Sequence, residues 1–351
     1  MDKKLIDICN KFNIKDKYIS YEVLTCGHIN TTYKINFENN SYILQKINTY
    51  VFKNPVEVME NIYNVTTYIK NKLIEENKEY NRYVLEFKQA NNKPYIYEDD
   101  KTFWRCYKFV DNSVTFSQTD DLKVIEESGK AFGEFQKYLK DFPVNNLNIV
   151  IPHFHNTINR YKLFKEAINN NHTNRKEEVI DLINEYLSLE EIATRMYKMQ
   201  KDNLLPLRVT HNDTKCNNVL FDKDTYDHLA VIDLDTVMPG LVGFDFGDAI
   251  RFIANTCAED EKDLDKVTLD LDKYNAFYKG FTSVLKDSIT DNELQTLPLG
   301  AITMTVECGM RFLTDYLDGD KYFKISYPEH NLVRSKCQLK LAKEMIKMLE
   351  Y

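Results

Sequence analysis

No stretch of about 18 apolar residues occurs anywhere in these 351 residues, so nothing in the sequence is expected to span a membrane. The start, MDKKLIDICNKF, places charges inside every apolar run and offers no signal-peptide h-region. No basic run stands out against a formal net charge of −8, which argues against nucleic acid as a partner. There is no CxxC pair; the seven cysteines are scattered and odd in number, the usage expected of reduced thiols in a cytoplasmic protein. Repeats and low-complexity segments are also missing. His153 and His155 have the spacing of a metal pair but no Cys or Glu at zinc spacing nearby, and read first as a loop. What is there is globular: 43% hydrophobic and 28% charged residues, in a chain long enough for two lobes with separate cores.

The most informative stretch is 208–235, RVTHNDTKCNNVLFDKDTYDHLAVIDLD. It reads as strand, polar loop, strand, turn and strand, with a carboxylate at the end of the last strand. His211, Asp213, Lys215 and Asn218 stand at the offsets of a phosphoryl-transfer catalytic loop. The chemistry accounts for the spacing. Asp213 orients a substrate hydroxyl and accepts its proton, and Lys215 neutralises charge on the transferred phosphoryl. Asn218 and Asp233 supply the oxygen donors that Mg²⁺ prefers, with Asp235 a further metal contact or else a solvated turn residue.

The segment resembles the aminoglycoside phosphotransferase/choline kinase superfamily. The strings HNDTKCNNVL, VIDLDTVMPG, DFGDAIRF and RFLTDYLDGDKYFK are similar to those of the N-acetylhexosamine 1-kinase group, and the likeness runs from about Leu24 to Leu341. The resemblance implies an α+β, protein-kinase-like fold of two lobes, an antiparallel N-lobe sheet with a helix and a mostly helical C-lobe. It further implies ATP and Mg²⁺ as cofactors. The acceptor it implies is a small sugar, phosphorylated on the anomeric hydroxyl of an N-acetylhexosamine.

Ahead of the catalytic loop, 2–13 is expected to be an amphipathic helix with Leu5, Ile6, Cys9 and Phe12 on one face. Strands are expected at 18–25, 33–37 and 42–47. The turn between the first two has one glycine and no GxGxxG, so it reads either as a plain hairpin or as a nucleotide-covering loop. In the second case backbone N–H groups from Gly27 to Thr31 and the hydroxyls of Thr31 and Thr32 are expected to contact phosphate. Lys46 on the third strand is the candidate phosphate lysine, although Gln45 precedes it where an apolar residue is usual. Pro55 opens a helix to about Glu75 with an apolar stripe of Val56, Met59, Ile62, Val65 and Ile69; Glu57 and Glu60 are the candidate partners of Lys46, with Glu60 preferred beside the stripe and Glu57 reading also as first-turn dipole chemistry. Residues 83–87 and 95–97 read as a hairpin, and 102–110 as a strand whose end, with Tyr107 and Phe109, is expected to meet the adenine edge through its backbone.

After Asp111 the pattern turns helical, with helices expected over 119–140, 156–170 and 175–201. This shift divides the chain into 1–110 and 111–351. Asp245-Phe246-Gly247 is a literal DFG, yet Asp233 closes the strand after the catalytic loop and is preferred as the metal ligand; Asp245 is expected to anchor that loop by hydrogen bonds. Helix resumes over 294–351, broken near Leu317 to Asp320. Arg311, Tyr316, Asp320 and Tyr322 offer polar groups and an aromatic face to an acceptor, or simply form a solvated helix–loop face. The acceptor stays open at this point among sugars, choline or ethanolamine, homoserine and aminoglycosides, and a catalytically silent nucleotide-binding regulator is the rival of another class. Oligomeric state is not legible.

Overall fold

The protein is described from a computed structural model covering residues 2–25, 29–98, 102–285 and 288–351. Packing divides the chain into two compact units: residues 1–115, 141–150 and 218–238 form one, and 116–140, 151–217 and 239–351 the other. The first unit thus takes in segments that a cut at 110/111 assigns to the second part.

The first unit is built on an antiparallel sheet. Its strands are β1 (Tyr18–Leu24), β2 (Thr31–Phe37), β3 (Ser41–Ile47), β4 (Ile96–Glu98) and β5 (Thr102–Lys108), in the order β1-β2-β3-β5-β4. Side chains alternate between its faces. Tyr33, Ile35, Phe37, Tyr42, Leu44, Trp104 and Cys106 share one face, where helix α1 (Asp2–Lys11) adds Leu5, Ile8 and Cys9 to a common core. Ile8, not Ile6, completes the apolar face of α1. Helix α2 (Pro55–Glu75) has the bounds expected, with Pro55 in its first turn. It buries Met59, Ile62, Val65 and Ile69 as expected, while Val58 takes the place of Val56.

The hairpin expected from 83–87 and 95–97 is not formed. Asn91 and Asn92 do make a tight left-handed turn, closed between Ala90 and Lys93. Beyond the turn, however, β4 pairs with β5, while Phe87 makes only an isolated bridge to Tyr107. Strand β5 thereby satisfies both neighbours, a long-range choice that local pattern does not encode. Short strands β6 (Ser113–Val114), β8 (Val219–Asp222) and β9 (His228–Val231) form a second small sheet in this unit, in the order β6-β8-β9.

The second unit is mainly helical, and a short strand, β7 (Arg208–Thr210), leads into the catalytic loop. Helices α3 (Leu122–Tyr138), α4 (Thr157–Asn170), α5 (Ile180–Ser188) and α6 (Glu190–Lys201) precede that loop. The single helix expected over 175–201 is divided: the chain breaks at Leu189, whose amide turns back to Tyr186 O, and no Gly or Pro in the sequence marks the break. Chain after the loop forms α7 (Val242–Ile253), α8 (Leu271–Leu285), α9 (Asp291–Gln295), α10 (Leu297–Asp318) and α11 (His330–Met348). Helix α10 is buried along nearly its whole length, packed by α4, α6, α7 and α11. Among the described residues no helix is long and apolar enough to cross a membrane.

Candidate active site

The catalytic loop follows β7 and is fixed by buried hydrogen bonds within the second unit. Asp245 on α7 is 1% exposed and receives the amides of His211 (2.9 Å) and Asn212 (2.8 Å), together with Gln136 Nε2 (2.8 Å). Thr214 donates its hydroxyl to the Asp245 carbonyl at 2.5 Å and its amide to Asp248 at 3.0 Å. The literal DFG aspartate is therefore the anchor of the loop, as expected. His211 lies buried edge-on to the rings of Phe132 and Phe135, and accepts the Asp213 amide on Nδ1. Asn212 takes the left-handed conformation, with φ 64°, that turns the chain outward.

Asp213 and Lys215 project from this anchored base. Their side chains are 29% and 38% exposed, and Lys215 Nζ lies 2.8 Å from Asp213 Oδ1. The ammonium also sits over the Phe252 ring at 5.1 Å. Burial alone disfavours its charge, but Asp213 and Asp248 outweigh that and raise its pKa, so Lys215 is a cation at neutral pH.

The other predicted chemistry lies in the first unit. The 3-10 turn Cys216–Asn218 runs into β8, which pairs with β9, and the Ile232 amide bonds the Asn218 carbonyl at 2.9 Å. The hairpin so brings Asn218 beside the start of the 233–237 turn. Asp233 is exposed and adopts φ 59°, ψ 53°, a left-handed conformation uncommon for a residue with a side chain. Holding a residue there costs of order 1–3 kcal/mol and is a feature of functional sites. One amide oxygen and one carboxylate fit Mg²⁺, which is commonly held by one or two carboxylates with phosphate oxygens and water completing its shell. Among the described residues no group of three or more His, Cys, Asp or Glu is gathered for a metal ion, so these side chains make no closed cage.

Asp235 is a correction. It is buried, and its carboxylate is clamped by Arg105: Nη1 bonds Oδ1, and Nη2 reaches Oδ2 at 3.2 Å. Asn30 Nδ2 adds a third bond to Oδ2 at 2.7 Å. The carboxylate is engaged by a bidentate arginine, and its burial overturns the reading of a solvated turn residue.

Lys46 and Glu60 are a second correction. In the ladder Lys46 pairs with Thr31 and Trp104, on the α1 face of the sheet, where Lys46 and Thr31 are both exposed. The residue that shares the α2 face is Gln45, opposite Arg105, whose Nη1 reaches Met59 Sδ on α2 at 3.9 Å. One position along a strand exchanges the faces. Glu60 is exposed and accepts from Asn148 Nδ2 at 3.2 Å, and among the described residues no ion pair joins it to Lys46. Helix α2 instead contributes Asn61, buried, which donates to Val237 O and Asn148 O at 2.8 Å each. Gly27 lies outside the described residues. Tyr107 is committed to the ladder with Ile43, and the Phe109 amide donates to Ser41 O at 2.9 Å, so that N–H is not available to an adenine edge.

The expected acceptor cluster divides in two. Tyr316 is 2% exposed, five positions from Arg311 and so on another face of α10. Arg175 caps its ring at 4.4 Å and bonds Asp320 at 2.7 Å, and Asn331 takes the other Asp320 oxygen at 2.9 Å. Both residues are structural, a third correction. Asp315 holds the loop after α10, accepting the amides of Lys321, Tyr322 and Phe323 at 2.8–3.0 Å. Arg311 remains half-buried, with its guanidinium 5.9 Å from the ring of Tyr322, which is 73% exposed.

Sequence reasoning missed what lies beside Arg311. His155 bonds Glu307 on α10 at 3.1 Å and approaches the Asn212 carbonyl at 3.5 Å, next to Asp213. Thr157 donates to the same carboxylate at 2.6 Å. Arg160 donates to Phe154 O at 2.8 Å, and both burial and the positive charge of Arg311 lower its pKa. The His153-x-His155 spacing thus reflects one loop histidine and one buried partner of Glu307.

The sequence profile of the phosphotransferase enzyme family matches residues 20–267. Among solved structures the chain is similar to a choline kinase from Cryptosporidium parvum Iowa II, at 17% identity and TM-score 0.61, over 99% of this chain and 97% of that one. It is also similar to a spectinomycin phosphotransferase in complex with ADP and spectinomycin, at 13% identity and TM-score 0.53, over 98% of each chain. A third likeness is to an amicoumacin kinase in complex with AMP-PNP and Ca²⁺, at 11% identity and TM-score 0.56, over 98% of this chain and 96% of that one. At such identities the likeness shows the fold: the α+β, protein-kinase-like arrangement of an antiparallel N-terminal sheet and a helical C-terminal part.

Proposed function

The chain belongs to the phosphotransferase enzyme family, and on that premise we propose that it is an ATP- and Mg²⁺-dependent kinase acting on a hydroxyl of a small molecule. The observation that carries this reading is the Asp213–Lys215 pair at 2.8 Å, partly exposed on a loop that buries His211, Asn212 and Thr214 against α3 and α7. In the reaction the acceptor oxygen bonds the γ-phosphorus, the bond to ADP breaks, and the hydroxyl proton passes to Asp213. Lys215 offsets charge on the transferred group. Asn218 and Asp233 are the residues that would hold Mg²⁺, which supplies charge neutralisation at the phosphates.

For the acceptor we propose the anomeric hydroxyl of an N-acetylhexosamine. The strings HNDTKCNNVL and RFLTDYLDGDKYFK support it. The test offers N-acetylglucosamine, N-acetylgalactosamine, choline, ethanolamine, homoserine and an aminoglycoside with ATP and Mg²⁺, and follows product by ³¹P NMR. A product from either sugar that releases phosphate in warm dilute acid is expected, since a glycosyl phosphate does so and a 6-phosphate ester does not. Turnover of choline or an aminoglycoside with neither sugar used would place the enzyme in another branch of the family.

A further inference from the structure

On the α2 face of the sheet a closed set of hydrogen bonds surrounds Arg105. Its Nε donates to Gln45 Oε1 at 2.8 Å, and Gln45 Nε2 donates to Thr32 Oγ1 at 3.0 Å. Across from Gln45 the guanidinium holds Asp235, which also takes Asn30 Nδ2 at 2.7 Å. Asn30 in turn accepts the Asn48 amide at 3.0 Å, which fixes its orientation. Asn30 immediately precedes β2, and Thr32 lies at its start. The start of β2 is therefore tied twice to one buried ion pair, and the same pair fixes the turn that begins at Asp233.

We propose that Arg105 and Asn30 are positioning residues that couple the start of β2 to the left-handed turn at Asp233. This rests on the kinase reading, in which Asp233 holds the metal ion. Arg105 does not itself serve as the phosphate cation. It is 3% exposed, and four of its five N–H groups are directed at Gln45, Met59 and the two Asp235 oxygens. Nor is the pair explained by stability alone, because a buried arginine–carboxylate pair is often no more stabilising than well-packed apolar residues of similar volume. What a bidentate clamp adds is orientation, and the residue oriented stands two positions from Asp233.

The experiment uses the full chain, Mn²⁺ in place of Mg²⁺, and the non-hydrolysable nucleotide AMP-PNP, with bound Mn²⁺ read by electron paramagnetic resonance. Arg105→Lys, Asn30→Ala and the double variant are compared with wild type, and circular dichroism shows that each is folded. Asn30 is only half-buried, so Asn30→Ala tests the proposal even where Arg105→Lys fails to fold. Each single change is expected to raise the Mn²⁺ concentration for half-saturation roughly tenfold, the effect usual for residues that orient metal ligands. The double variant is expected to fall well short of the product of the two, as coupled residues do. Unchanged Mn²⁺ half-saturation in folded Asn30→Ala, or effects that multiply fully, would overturn the coupling. If wild type binds neither AMP-PNP nor Mn²⁺, the kinase reading itself fails and this inference with it, an outcome distinct from the first two.

Discussion

In the proposed reaction Asp213 accepts the hydroxyl proton, and its contribution is open to a narrow test. Asn keeps its shape but cannot take a proton, so Asp213→Asn is expected to lower kcat by about 10²–10⁴-fold. Nucleotide affinity should stay near wild type, since the carboxylate serves the acceptor hydroxyl. Steady-state kinetics beside equilibrium AMP-PNP binding checks both, and turnover within about threefold of wild type would remove Asp213 from the catalytic role. Arg311 and Tyr316 make a contrasting pair. Arg311→Ala is expected to raise the acceptor KM more than the ATP KM, because the half-buried guanidinium lies beside the loop cluster. Tyr316→Phe is expected to leave both near wild type, since its ring is enclosed under Arg175. An equal rise in acceptor KM for both would return Tyr316 to the acceptor site.

At the scale of elements, the second half of the DFG string has a packing role. Gly243 and Gly247 lie one helical turn apart on α7 and meet Gly300 of α10. A Cβ on Gly247 would stand 2.2 Å from the Gly300 carbonyl oxygen, so the two backbones approach as only glycine permits. Gly247→Ala is expected to cost about 1–3 kcal/mol. Urea unfolding checks this, and an unchanged midpoint would mean that α7 and α10 adjust freely. One part of the candidate site was legible as a local run of sequence, and another was not. Asp213 and Lys215 lie on one anchored loop and Asn218 and Asp233 on one hairpin, runs in which spacing along the chain is spacing in the structure. Asp245 follows from the same run, because a strand-end carboxylate already stood nearer. Arg105, Asn61 and Glu307 come from elements far along the chain, and nothing local announces which polar side chain turns inward. The Lys46 expectation failed on strand parity alone: the alternation of Phe103, Arg105 and Tyr107 against Trp104, Cys106 and Lys108 holds the signal, but the pairing that gives it meaning is long-range. On α10, Tyr316 and Arg311 were grouped by nearness in sequence, while the helical period separates them.

For the whole molecule, the buried carboxylates of the second unit set how stability responds to acid. Burial alone would raise the Glu307 carboxyl, but His155, the charge of Arg160 and the Thr157 hydroxyl prevail and hold it below its ordinary 4.5. Burial likewise works against Asp248, and Arg251 and Lys215 prevail there, below the ordinary 3.8. Asp245 behaves oppositely: burial outweighs His211 and its amide donors, and its pKa is raised. The signs follow by linkage. A carboxyl lowered in the folded state contributes stability that is fully present above its unfolded pKa and is lost as pH falls through the folded value. A raised one is most favourable below its unfolded pKa, and that share is lost as pH rises through the folded value. Acid should therefore weaken Glu307 and Asp248 while it relieves Asp245. Glu307→Gln isolates one contribution, because glutamine keeps the shape and does not titrate. The stability gap between wild type and Glu307→Gln is expected to be largest at neutral pH and to shrink as pH falls from about 5 towards about 3, through and below the ordinary glutamate pKa. Urea unfolding of both proteins across that range measures it. A gap constant with pH would mean that the His155–Glu307 pair is not held by charge, and that the acid response of the molecule arises at other carboxylates.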